Sequence, residues 1–499
     1  MSGASPARSL EVAAACPPLG RQQGRSSAPP ARGALGLALV LAVACAPSVV
    51  ADADALPLIQ ARGGKLVDAL GRERVLRGVN ARVAGVFDVT FDDGRTALED
   101  IPAYTDADAA RIRALGFSFL RLPISWSGLE PVEGDIDADY LARVADVVAL
   151  NRAHGLYTLV DFHQDAYSKE IGEDGAPAWA ILPAPTAVLG GPMSSGDLSN
   201  RRRSQQVLDA FASFFRNDAD LQARFEPALA AVVDRFADDD SVVGFEIMNE
   251  PVAFLVDNGA ALLDAFSIRM AAVVRAHDAR HAVWIEPDAL RNGILEAPVR
   301  DAPFPDDNVV YAPHLYPGIL GAHDTRADWT SALSDTFGSL RAETASWGAP
   351  VALGEWGTYP DDATAPAYAA AIHALVDELN GSDAVWLWKE TSQDHWGFFA
   401  EDGSERPSAQ IFVHPYALAV PGTLTKQLWD EDARTLTIDF DADPAASGAV
   451  LDVPASTYPG GFTLTLDGAV VADASAGRIA VPWNPTAGAH LIVVRPRAH

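Results

Sequence analysis

Between residues 75 and 390 the chain alternates short runs of apolar and β-branched residues with longer stretches whose apolar positions recur three and four apart. The runs fall at 75–80, 119–123, 157–163, 242–250, 282–287, 309–314, 351–355 and 384–390. A short run bounded by turn residues reads as a buried strand, and a three-four spacing reads as an amphipathic helix. Helical stretches at 106–115, 140–154, 205–236, 260–277, 327–346 and 366–380 lie between the runs. Eight strand–helix alternations predict an α/β fold, a (β/α)8 TIM barrel.

Beyond residue 419 the period changes to two, as in 434–440 and 462–468, with turn signals between the segments. This predicts a small C-terminal all-β sandwich over 419–499. Two readings of it stay open, packing against the barrel or binding a sugar or surface. The barrel is assigned to 52–418.

Residues 1–51 read as a targeting leader. Arg8, Arg21, Arg25 and Arg32 surround an apolar run at 34–46 that is too short to span a bilayer, and the small residues Val49 and Ala51 suggest cleavage near 51. Secretion is expected. Leu41 to Cys45 also resembles a lipoprotein signal, so lipid anchoring at Cys45 is the alternative. Cys16 and Cys45 are the two cysteines of the chain. The remainder therefore has no thiol for a disulfide or a metal site.

The full chain of 499 residues carries 37 Lys and Arg against 67 Asp and Glu, a formal charge of −30. Such a surface repels phosphate backbones, and the one basic run, Arg201-Arg202-Arg203, is short. Nucleic acid is excluded as a partner. With 21% charged residues and 49% hydrophobic ones, the composition is that of a folded protein rather than a disordered one.

In a (β/α)8 barrel the C-terminal strand ends surround one mouth, and chemistry gathers there. His163, Asn249, Glu250, His314, Tyr316, Glu355, Trp388 and Lys389 each lie at or just past the end of a run. Glu250 ends the fourth run and Glu355 the seventh, so two carboxylates face the mouth from opposite sides. Retaining glycoside hydrolysis needs such a pair, one to attack the anomeric carbon and one to protonate the leaving oxygen and then activate water. The plainer reading is a rim salt bridge, which suits a lone Glu better than two in these settings.

Several motifs in order carry a resemblance to glycoside hydrolase family 5, the cellulase-like members of clan A, over residues 73 to 415. They are Gly78-Val79-Asn80, Leu120-Arg121-Leu122-Pro123, His163, Asn249-Glu250-Pro251, His314-Leu315-Tyr316, Gly354-Glu355 and Trp388. Within that family the segments Asp161 to Ser168, Gly172 to Trp179 and Ile124 to Pro131 are similar to the endoglycoceramidase group. Trp386-Leu387-Trp388-Lys389-Glu390 and Ser168 to Gly172 are closer to its endo-β-galactosylceramidase branch. The resemblance implies cleavage between an intact oligosaccharide and ceramide in glycosphingolipids, without cofactor. An endo-β-1,4-glucanase or mannanase is the alternative, and a sugar-binding protein on an inactive barrel is a second one. Residue by residue, it implies Glu355 as nucleophile and Glu250 as acid/base. Asn249 would donate to the 2-hydroxyl, Arg121 and Tyr316 would hold Glu355, and His314 would lie near Glu250. His163 and Asp165 would bind sugar hydroxyls, and Trp388 would stack on the ring.

Lysine usage adds an expectation of its own. The chain has four Lys (Lys65, Lys169, Lys389 and Lys426) against 33 Arg, and Lys169 and Lys389 lie in mouth loops. Contact of Lys389 with the sugar at the cleavage site is expected, a solvated rim being the other reading. Metal is not expected, since no H-E-x-x-H motif is present. The apolar stretches 253–256, 317–321 and 181–191 are candidates for an aglycone groove or a peripheral contact with membranes or micelles, or else for loop packing. The connection at 164–204 is long enough for a lid or a substrate-binding role. A monomer is expected.

Overall fold

The computed structural model describes residues 52–292, 299–316, 326–389, 396–400, 402–474, 476–482 and 486–497. The leader, Cys45, the apolar stretch 317–321 and Glu390 lie outside these residues.

Among the described residues the chain forms eighteen strands. β1 to β3 are Ile59–Arg62, Lys65–Asp68 and Arg72–Arg74. The barrel strands β4 to β11 are Arg77–Asn80, Phe119–Ser125, Tyr157–His163, Val242–Glu246, Ala282–Ile285, Val309–Tyr311, Ala352–Trp356 and Ser382–Val385. β12 to β18 are Tyr416–Asp430, Thr435–Ala442, Val450–Val453, Phe462–Leu466, Ala469–Ala474, Gly477–Ala480 and Gly488–Pro496. The barrel strands pair in parallel in the order β10-β11-β4-β5-β6-β7-β8-β9. Bridges Tyr311↔Val351 and Leu315↔Trp356 join its two ends and close the ring. Each of the eight runs expected from the pattern supplies one of these strands.

The expected helices form, with short helices Trp126–Leu129 and Ser195–Arg201 added in the connections and one expected helix divided. The stretch expected as one helix at 205–236 is two, Gln205–Phe215 and Leu221–Phe236. Between them Asn217, Ala219 and Asp220 take left-handed φ values of 52 to 58°. The polar segment Arg216 to Asp220 interrupts the apolar stripe there, so nothing is buried by continuing the helix.

The second sheet corrects the expected division of the chain at 418/419. It runs β1-β2-β3-β12-β13-β18-β15-β16, with β14 attached to β12 and β17 to β14. β1 to β3, expected within the barrel segment, belong to it, and Arg74 pairs with Ala419. Inward residues at the bottom of the barrel, among them Phe119, Leu159 and Trp284, form one apolar cluster with Ile59 and Leu66 of the hairpin and with Leu418 and Leu451. The β-rich part thus packs against the barrel through a shared core.

Polar contacts reinforce this joint. Arg77 bonds Asp377 at 2.6 Å and Asp383 at 3.0 Å, and Gln427 Nε2 donates to Asp377 at 2.6 Å. Beside them the rings of His373 and His414 lie 4.0 Å apart, both buried. Burial foremost, with the charge of Arg77 and for His373 that of His414, holds both pKa values well below 6.5. The folded state keeps both rings neutral, whereas the unfolded chain takes up protons on them below about pH 6.5. Stability from this pair is therefore present above that pH and is lost as pH falls. The thermal midpoint is expected to drop from pH 7 to pH 5, and His414→Phe to flatten that slope. An unchanged slope in the variant counts against this account.

Candidate active site

Side chains alternate between the two faces of each barrel strand. In β5, Leu120, Leu122 and Ile124 pack outward against the helices, while Phe119 faces the barrel floor and Arg121 shares its face. In β6 the inward column is Leu159, Asp161, His163. Trp284 is followed by Glu286 beyond β8, and Val310 and Ala312 by His314 beyond β9. Each column starts apolar at the floor and becomes ionic toward the mouth.

Arg121 is fully buried at the centre of that ionic layer. Its Nε donates to Glu246 Oε2 at 2.6 Å. One terminal nitrogen reaches Glu355 Oε1 at 2.7 Å and Asn80 Oδ1 at 3.0 Å. The other donates to Asn249 Oδ1 at 2.8 Å and lies 3.0 Å from Asp161 and 3.3 Å from Glu286. Burial opposes its charge, but Asp161, Glu246, Glu355 and Glu286 outweigh burial and raise its pKa further. The hydroxyl of Tyr316 donates to Glu355 Oε2 at 2.9 Å. Burial, then the charges of Glu355 and Glu250, push that hydroxyl well above its ordinary pKa, so it stays a donor. Both oxygens of Glu355 are thereby fixed.

Glu250 stands beyond the end of β7 in a left-handed backbone conformation, φ +39°. Gln164 Nε2 donates to the carbonyls of Asn249 and Glu250 at 2.7 and 2.9 Å, and the Glu250 N–H donates to Glu286 Oε2 at 3.1 Å. Its side chain, still partly open to solvent, meets His314 Nδ1 at 3.0 Å. Burial raises the Glu250 pKa, but the His314 hydrogen bond and the charges of His314, Arg202 and His163 outweigh it and hold the group at about 2. Burial lowers the His314 pKa, yet Glu286 and Glu355 and the bonds to Glu250 and Glu286 lift it well above 6.5. The proton of the Glu250–His314 pair therefore rests on the imidazole.

One oxygen each of Glu250 and Glu355 and one His314 nitrogen lie within 4.8 Å of one another. Retaining pairs stand about 5–5.5 Å apart and inverting pairs about 6.5–9.5 Å. The close approach of the two groups is in keeping with the retaining spacing. Glu246, Glu286 and His314 form a second close trio with ligand atoms that a metal ion could use. In both trios Arg121 and His314 already supply the cationic partners.

Of the ten residues expected in the site, Arg121, Asn249, Glu250, His314, Tyr316 and Glu355 come together as one network. His163 adjoins it through Asp161 Oδ2 at 2.7 Å. Asp165 holds Arg202 through a two-pronged ion pair, one prong at 2.7 Å. Trp388 and Lys389 require correction. Trp388 is 1% exposed, packs on Phe398 and Phe399, and donates its indole N–H to Asp108 at 3.0 Å. Lys389 binds the same Asp108 at 2.5 Å. Both side chains turn outward to helix Asp106–Ala114, while the backbone beyond Val385 still bonds the neighbouring strands, the Trp386 N–H donating to the Trp356 carbonyl and the Trp388 N–H to that of Asn80. Lys169 is likewise taken by Asp88 at 2.6 Å.

The aromatic face at the mouth is that of Trp386, stacked on His163 with ring planes 9° apart. Glu246, Glu286 and Asp161 are the other site residues that the sequence reading did not nominate. A signal existed for them, namely an acidic residue on the inward face of an otherwise apolar strand, a place where charge survives only when paired.

A carboxylate pair at this separation serves double displacement at an anomeric carbon, and fold and site together define a retaining glycoside hydrolase. Comparison supplies the family. The model of the cellulases (glycosyl hydrolase family 5) matches residues 82–392, more than half of the chain, and the chain belongs to that family. It is 26% identical over 451 residues to endoglycoceramidase I of Rhodococcus hoagii, covering 86% of each chain. It superposes on endo-glycoceramidase II from Rhodococcus sp. in its ganglioside GM3 complex with a TM-score of 0.75 and 26% identity, over 87% of this chain and 99% of the other. A crystal structure of endogalactoceramidase gives 0.70 and 25%, over 88% and 98%.

Proposed function

We propose that this enzyme is exported and hydrolyses the β-linkage between the oligosaccharide and ceramide of glycosphingolipids, with Glu355 as nucleophile and Glu250 as acid/base. The observation that carries the reading is likeness to endoglycoceramidases along nearly the whole described chain, together with a carboxylate pair at retaining distance. Glu355, kept ionised by Arg121 and oriented by Tyr316, attacks the anomeric carbon. The proton given to the ceramide oxygen is drawn from the Glu250–His314 pair, whose Nδ1 and Oε1 are 3.0 Å apart. Water then attacks the glycosyl–Glu355 ester and Glu250 takes its proton, which restores the starting state. Asn249, fixed by Arg121, faces the position of the 2-hydroxyl, and Trp386 offers its face to the sugar.

Four and five residues beyond Glu250, Phe254 and Leu255 are 41% and 60% exposed. Apolar side chains next to the acid/base suit the lipid side of the scissile bond and a peripheral contact with membranes or micelles. A panel of gluco-, galacto- and ganglio-series glycolipids with cellulose and mannan tests the substrate. Release of intact oligosaccharide and ceramide is expected, with the β-anomer seen first by proton NMR. Turnover of the polysaccharides alone would refute the glycolipid assignment.

A further inference from the structure

We propose that Glu286 is a positioning residue for the acid/base, its one carboxyl group holding both the ring of His314 and the backbone of Glu250 in the geometry where Glu250 exchanges its proton. Glu286 lies just past the end of β8 with its side chain wholly buried. Its Oε1 is 3.1 Å from His314 Nε2, and its Oε2 accepts the Glu250 N–H at 3.1 Å. Arg121 lies 3.3 Å away on the same Oε1, and Glu246, on the adjacent strand β7, is its charged neighbour.

Two features separate this arrangement from ordinary packing. A buried carboxyl group is costly, and an apolar side chain would fill the same space at less cost, so its retention calls for a task. The two groups it grips are the two ends of one functional unit. With Nε2 engaged by Glu286, the ring presents Nδ1 to Glu250. The backbone bond meanwhile secures Glu250 at φ +39°, a conformation a glutamate seldom adopts without support. Burial, foremost among the influences on Glu286, and the charge of Glu246 raise its pKa well above the ordinary carboxyl range, and the charges of His314 and Arg121 oppose them.

The inference rests on the retaining reaction and not on the ceramide, so the test uses aryl β-glycosides of one sugar that the wild type turns over. Glutamine at 286 has one acceptor oxygen and cannot serve both partners. Glu286→Gln is expected to lower kcat/KM by about 100-fold for a poorly acidic phenol leaving group, which needs protonation, and by less than about threefold for 2,4-dinitrophenolate, which does not. Sites are counted by the dinitrophenolate burst from a 2-deoxy-2-fluoro glycoside, a step that needs no acid and reports only on folded enzyme. An equal loss across the leaving groups, or no loss, overturns the proposal. If Glu286→Gln gives no burst, Glu286→Asp is taken through the same series, where an equal loss again overturns it. Failure on glycolipids with this pattern intact would refute only the substrate assignment.

Discussion

Glu355→Gln is expected to lower kcat/KM by about 10⁵-fold on every substrate, because no leaving group, however acidic, replaces a missing nucleophile. That factor corresponds to about 7 kcal/mol of transition-state stabilisation. The amide keeps the volume of the side chain and a hydrogen-bonding oxygen for Arg121, so the fold survives and the loss is chemical. Glu250→Ala behaves differently. It is expected to cost about 10²- to 10⁴-fold with poor leaving groups and little in the first step with dinitrophenyl glycosides. The fluoro-glycoside provides a direct check by mass spectrometry, since the wild type gains one sugar on the peptide containing Glu355 and the Gln variant gains none. Labelling of the variant would move the nucleophile elsewhere.

Arg121→Met is expected to be the most destabilising single change in the barrel, by about 3–5 kcal/mol, since it strips a buried cluster of its central cation. Asp161, Glu246, Glu286 and Glu355 all lie within 3.3 Å of that guanidinium. Arg121→Lys is expected to recover little, because an ammonium is a point charge and cannot reach partners on three sides as the planar fork does. The deficit depends on pH in a definite direction. Asp161, through burial and despite Arg121, is already pushed from 3.8 up to about 6, and loss of the cation raises it further. A carboxyl group with a raised folded pKa binds more protons folded than unfolded, so stability falls as pH rises through that window. The variant is therefore expected to lie closer to wild type near pH 5 than at pH 8 in urea melts. The reverse order would exclude charge repulsion as the cause.

The barrel was legible because each strand is a short apolar run and each helix repeats at three and four. The carboxylate pair was legible because strand ends in this fold converge on one mouth. Periodicity stops informing where a strand stops. Val385 ends β11, and whether Trp386 or Trp388 turns inward depends on the path of the chain beyond it. Glu246, Glu286 and Asp161 were obscured for another reason. One buried acid in an apolar run signals that a partner exists but not which, and the partner appears only once Arg121 and His314 are seen to gather several of them. The hairpin β1–β2 and strand β3 were placed with the barrel because the partner that claims them, β12, lies far along the chain. The break at 216–220 could have been read from its polar run.

That last pairing governs the order in which the molecule can be completed. The Leu424 N–H donates to Glu73 Oε2 across 351 positions of sequence, and β3 has no other source for the ladder that β12 provides. On a chain emerging from its N-terminus, β1 to β3 appear among the first folded-state residues and wait, with an open strand edge, until the last part of the chain arrives. The barrel floor that packs on the same strands waits with them. Contacts closed over such distances are slow to form, so the enzyme acquires its finished barrel floor, the end opposite the catalytic mouth, only after these late strands have been made.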